Sequence, residues 1–150
     1  MTLSRADFPS DRILTFDSTT ELGQAAAKRA ADVIRHAVST DGSCSVLLAS
    51  APSQEPVLTS LFAMRELPWE AVTFFHVDEY VGLDPDAPQL FASWLRHKLD
   101  GVPYADFEVI NSQMDDPEAE GDRYETRLLA RGAFDVGQVP LSGVFLSGQG

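Results

Sequence analysis

The sequence predicts an α/β fold, a three-layer arrangement in which a mostly parallel sheet carries helices on both faces. Short apolar runs rich in β-branched and aromatic residues alternate with longer amphipathic stretches along the chain. An acidic pair, Asp78-Glu79, stands where one of those runs ends. The 150 residues, 44% of them hydrophobic, suffice for one domain with a substantial core. This order of elements implies right-handed crossovers between parallel strands.

The first run, Ile13 to Phe16, reads as a short opening strand, and Ser18-Thr19-Thr20-Glu21 has the form of a capping box. In the helix that follows, Leu22, Ala26, Ala30, Val33, Ile34 and Ala37 recur at helical spacing, and Asp41-Gly42 supplies its stop. Ser45 to Ala49 form a second, buried strand. Ser50-Ala51-Pro52-Ser53 then leads into a helix with Ser53 as its N-cap, Pro56 in its first turn and Val57, Leu58, Leu61 and Phe62 as its apolar stripe. Residues 72 to 77 make a third strand buried on both faces. Beyond Pro85 and Pro88, Leu90, Phe91, Trp94, Leu95 and Leu99 mark another amphipathic helix. Phe107 to Ile110 suggest a fourth strand. Asp116-Pro117 opens a last helix with apolar positions at Tyr124, Leu128 and Leu129.

Composition narrows the partners. A net charge of −12, with Lys28 and Lys98 the only lysines, argues against nucleic acid, which demands clustered cations. A small phosphorylated ligand is still admissible, because helix N-terminal N–H groups can hold one. No apolar run approaches the ~18 residues of a spanning helix, and the N-terminus lacks a signal-peptide core. A cytoplasmic protein with no membrane partner is expected. Cys44, the single cysteine, sits beside the apolar Val46-Leu47-Leu48 and reads as a core residue.

Parallel strands present their carboxyl ends on one side of the sheet, so the loops after the second and third strands should face one ligand. Ser50 and Ser53, with the N–H groups of a helix start, suit an anion; Asp78 and Glu79 suit proton transfer. The residues also allow plainer roles, with Ser53 a simple cap, the acidic pair a solvated loop and His76 a residue of the sheet face.

Phe75-His76-Val77-Asp78-Glu79-Tyr80-Val81-Gly82-Leu83, followed by Pro88, Phe91, Leu95 and Leu99, resembles the Asp-Glu-Tyr-x-Gly-Leu region of the glucosamine/galactosamine-6-phosphate isomerase family, which includes the glucosamine-6-phosphate deaminases. Ala49-Ser50-Ala51-Pro52-Ser53-Gln54 stands in register with that family's phosphate-binding loop, and the resemblance spans roughly residues 12 to 136. It implies conversion of an amino-sugar phosphate to a ketose phosphate with loss of ammonia. Asp78 would be the proton acceptor, Glu79 and Tyr80 its supports, and Ser50, Ala51, Ser53 and Gln54 the substrate contacts. No metal or organic cofactor is implied. A 6-phosphogluconolactonase-like hydrolase on the same fold and a non-catalytic sugar-phosphate-binding module are the alternatives. Tyr80 favours the deaminase, since the lactonases typically carry Arg after Asp-Glu.

The sequence departs from the family pattern at two places. Ala51-Pro52 replaces the glycines of the phosphate loop, which removes an N–H and hinders close backbone approach. After Phe134-Asp135-Val136, residues 137 to 150 replace the Gly-x-Gly-x-Asn-Gly-His-x-Ala-Phe-Asn motif that carries the family's ring-opening His. The expected organisation is therefore 1–136 as the N-terminal part of the domain and 137–150 as a divergent tail, interrupted or naturally short, weakly active or inactive. Its Gly- and Ser-rich end, 142 to 150, is expected to be mobile and to form no covering element. An open sheet edge would then favour association with another copy of the chain.

Overall fold

The computed structural model describes residues 15–132, 134–138 and 145–147. The first helix, α1 (Thr19–Asp41), begins because Ser18 is extended and its Oγ accepts the Glu21 N–H at 3.2 Å. It ends at Gly42, whose N–H donates to the Val38 carbonyl. Gly23, Ala27, Ala30, Ala31, Ile34 and Ala37 form its buried stripe, while the expected Leu22, Ala26 and Val33 lie half-buried at its margin. Small residues occupy the centre because α2 (Glu55–Phe62) presses close. A Cβ on Gly23 would stand 2.7 Å from the Pro56 Cβ and 2.8 Å from its carbonyl carbon.

The sheet has the order β3-β2-β1-β4-β5. Strand β1 (Cys44–Leu48) pairs in parallel with β2 (Val72–His76), from Cys44 opposite Val72 to Leu48 opposite His76. Strand β3 (Asp106–Glu108) adds in parallel to β2, and β4 (Val136–Gln138) adds in parallel to the other side of β1. The β1/β4 boundary is where the chain reverses its direction of travel across the sheet, the position at which open α/β sheets bind ligands.

Alternation along β2 sorts the two layers. Phe74 meets the rings of Phe62, Trp69 and Tyr104, whereas Phe75 packs against Tyr124 and Phe134. Helix α2 thus covers one face and α4 (Pro117–Arg131) the other, where Arg131 also donates to the Thr73 hydroxyl. Burying a large apolar side chain such as Phe74 contributes roughly 1.5–3 kcal/mol, so this layered contact holds the sheet together.

Several expectations shift. Residues 13 and 14 lie outside the described residues, and Thr15 and Phe16 are not in a strand. Strand β1 runs one residue earlier than expected, and β2 stops at His76 with Val77 exposed. Strand β3 ends at Glu108 because the next backbone groups turn to side chains: the Val109 carbonyl accepts from Arg123 and the Ile110 N–H donates to His76. Ser53 caps nothing. Pro52–Gln54 form a 3-10 turn running into α2 without a side-chain cap, since Gln54 is already helical at φ −91°, ψ −10°. Helix α3 (Phe91–Lys98) and the Asp116 cap of α4 lie where predicted, but Leu129 is 72% exposed. Within 142 to 150, Phe145–Ser147 form β5, antiparallel to β4, so β4 is not an edge.

Candidate functional site

Ser50 and Asp78 each lie two residues beyond the Leu48–His76 pair, on adjacent parallel strands. The register therefore brings the predicted anion loop and the predicted carboxylate to one edge of the sheet, beside the reversal point.

The adjacent carboxylates have different tasks. Glu79 Oε1 accepts the N–H of Tyr80 at 3.1 Å and of Phe91 at 2.8 Å, and its Oε2 accepts the N–H of Ala92 at 2.9 Å. Leu90, at the start of α3, has no capping side chain, so Glu79 supplies a negative cap from across the loop. The Tyr80 ring lies on Phe91, 4.8 Å between centroids. Asp78 is different: among the described residues no donor engages its carboxylate. Partial burial, and then the Glu79 charge, push its pKa above the ordinary aspartate value, although the side chain is largely open to water. A carboxylate of raised basicity with free oxygens can take a proton from carbon.

In the loop after β1, Ser50 Oγ donates to the Phe91 carbonyl at 3.2 Å, tying this loop to the helix that Glu79 caps. Gln54 is fully buried, and its N–H donates to the Ala51 carbonyl. Ser50 and Ala51 are half-buried and Ser53 exposed, so these three are more accessible from solvent than Gln54. Cys44 is buried in the core, and burial followed by the nearby Asp135 pushes its thiol to about 12, which removes it as a nucleophile.

Sequence reasoning missed a polar strut beside the site. Buried Tyr124 sends its hydroxyl between the ends of β2 and β3, accepting the His76 N–H at 3.0 Å within reach of the His76 and Glu108 carbonyls. Glu120 accepts the Asn111 N–H at 2.7 Å and pairs with Arg123. Only the Glu120 to Arg123 spacing was a signal, since i and i+3 share a helix face. A cavity of about 320 Å³ opens on this β3 side of Glu79, among Arg96, Asn111, Ser112 and Arg123, and its lining excludes Ser50 and Asp78. No cluster of His, Cys, Asp and Glu suited to a metal occurs among the described residues. Nor is any described helix long and apolar enough to cross a membrane.

The family described as glucosamine-6-phosphate isomerases/6-phosphogluconolactonase matches residues 17–150. The chain belongs to this family. It is similar to the glucosamine-6-phosphate deaminase of an Exiguobacterium species, 33% identical over 81 residues that make up 53% of this chain and 32% of that one. The deaminase of Lactobacillus delbrueckii subsp. bulgaricus is 29% identical over 126 residues, 83% of this chain and 51% of its own. Among solved structures, a monomeric glucosamine-6-phosphate deaminase superposes with a TM-score of 0.72 at 25% identity, over 81% of this chain and 52% of that one. A 6-phosphogluconolactonase from Shewanella baltica superposes with a TM-score of 0.69 at 23% identity, over 81% and 53%, a likeness of fold. The chain spans about half, or less, of the length of these relatives.

Proposed function

We propose that this chain takes part in amino-sugar phosphate metabolism as a glucosamine-6-phosphate deaminase-like protein, with Asp78 as the group that moves a proton between sugar carbons. The observation that supports this reading is the contrast within the acidic pair. Glu79 accepts three backbone N–H groups, while among the described residues Asp78 meets no donor and has a raised pKa at the same sheet edge. Ser50, Ala51 and Ser53 would meet the phosphate, through hydroxyls and N–H groups at the turn that starts α2. Tyr80, standing after Asp78-Glu79 where the lactonases typically carry Arg, supports the deaminase over the lactonase alternative.

The 150 residues hold the proton acceptor but no counterpart of the family's ring-opening His, and loss of a positioned acid–base group costs ~10²–10⁴-fold in rate. Ammonia release from glucosamine 6-phosphate by the purified chain should therefore lie near background, and glucosamine 6-phosphate should still shift the amide resonances of Ala51 and Ser53, with inorganic phosphate competing. Absence of any shift at millimolar ligand defeats the binding reading. Robust ammonia release abolished in Asp78→Asn would show instead that another residue, such as His97, replaces the ring-opening group. Hydrolysis of 6-phosphogluconolactone in place of deamination would favour the alternative.

A further inference from the structure

We propose that His76 is a positioning residue for Asp78: as a neutral imidazole it accepts the Ile110 N–H, fastens residues 108–113 to the tip of β2, and through them fixes the turn that carries Asp78. The inference rests on the assignment of Asp78 as proton acceptor. His76 lies two residues before Asp78 and is 1% exposed. Its Nε2 accepts the Ile110 N–H at 3.0 Å, which requires that nitrogen to be unprotonated and places the ring proton on Nδ1.

The fastening continues to the turn. On either side of Ile110, the Glu108 carbonyl accepts from Tyr124, the Val109 carbonyl from Arg123, and the Asn111 N–H donates to Glu120. Ser112 then grips the far end of the Asp78 loop, its carbonyl accepting the Gly82 N–H at 2.7 Å and its Oγ donating to the Leu83 carbonyl at 3.0 Å. Gly82 sits at φ +85°, so this end of the loop is held in a conformation that a side chain disfavours. Without an acceptor at His76, the Ile110 N–H loses its partner at the point where β3 leaves the sheet.

The surroundings of the ring keep it neutral. Burial lowers the His76 pKa, the Glu79 charge and the Asp78 backbone oppose this, and Arg96 on α3 adds to it. The Phe107 ring from β3 and the Tyr124 ring from α4 pack edge-on against the imidazole. Protonation would place a hydrogen on Nε2 and convert the acceptor of Ile110 into a second donor.

The test uses NMR of the full chain: ring nitrogen shifts of His76 for the tautomer, and the carboxyl carbon of Asp78 followed against pH. The expected result is an unprotonated Nε2 at neutral pH and a raised Asp78 pKa, which falls toward the ordinary aspartate value in His76→Leu and is restored in His76→Gln, whose Oε1 again accepts from Ile110. An Asp78 that titrates as an ordinary aspartate in the parent chain overturns the proton-acceptor reading itself. A raised Asp78 pKa that is unchanged in a folded His76→Leu overturns only the positioning role. Should the leucine variant fail to fold, the parent tautomer decides: a proton on Nε2 overturns the proposal, and its absence together with Gln rescue supports it.

Discussion

The loops after β1 and β2 leave the sheet from the same register pair, yet they are held in opposite ways. Residues 78–83 are gripped from outside: Glu79 caps α3, while Ser112 and Gln113 take the Gly82 N–H and the Leu83 carbonyl. Residues 50–54 are held mainly at their ends, by the Ser50 hydroxyl on the Phe91 carbonyl and by buried Gln54. Among the described residues, the N–H groups of Ala51 and Ser53 meet no acceptor. The proposed function accounts for the difference: a carboxylate proposed to act on one carbon atom needs a fixed backbone, whereas a loop proposed to hold an anion keeps its donors for that anion.

The sharpest way to break this contrast is to remove a strut from one loop and observe the other. Glu120→Ala deletes the acceptor of the Asn111 N–H and the partner of Arg123, and should cost about 1–3 kcal/mol of stability, measured by urea denaturation. Amide shifts should change over 79–83 and 109–113 and stay in place over 50–54. The pH dependence carries a definite sign. The hydrogen bond from Arg123 holds the Glu120 pKa below its ordinary 4.5, so its contribution is full above that value and is lost as pH falls through the lower folded value. Below about pH 4.5 the parent should therefore lose stability more steeply than the variant. Equal acid profiles would show that the pair contributes nothing to the strut.

A smaller effect compares one backbone position in each loop. Gly82→Ala places a Cβ at φ +85° and should cost about 1–2 kcal/mol, although open space surrounds the new methyl. Ala51→Gly, at an extended φ of −140°, should cost under about 1 kcal/mol through the unfolded chain alone. It should also enlarge the shifts that inorganic phosphate induces at Ser53, because a backbone without Cβ allows closer approach. A larger penalty at Ala51 than at Gly82 would invert the proposed division between fixed and adaptable loops.

This division also separates what the sequence made legible from what it did not. Strand–helix alternation gave the parallel core, because Val72 to His76 and Cys44 to Leu48 are short, predominantly apolar runs with apolar residues on both faces, and that pattern leaves few alternatives. The Ser18 and Asp116 caps were readable for the same local reason, each being a side chain that satisfies an N–H two or three residues away. Glu79 as the cap of α3 was not, since its partners lie 12 and 13 residues on and only the folded loop brings them near. Tyr124 was legible as a buried apolar position; that its hydroxyl joins β2 to β3 depends on 48 residues of intervening chain. Ser53 misled because Ser before a helix usually caps, and here a 3-10 turn takes up the entry instead.

The smallest expected effect belongs to the residue with the largest proposed role. Asp78 accepts no hydrogen bond from a described donor, so Asp78→Asn should change stability at neutral pH by no more than about 0.5 kcal/mol. The sign of its pH dependence is opposite to that of Glu120. Partial burial and Glu79 raise the Asp78 pKa above its ordinary 3.8, so the folded state binds the proton more tightly than the unfolded one. Its contribution is full below 3.8 and falls as pH rises through the folded value. Relative to the parent, Asp78→Asn should consequently be more stable above that window than below it, by urea denaturation at matched pH. A variant that is relatively less stable at neutral pH would mean that the Asp78 charge is favourably engaged in the fold, and a carboxylate so engaged is a structural anchor, not a free base.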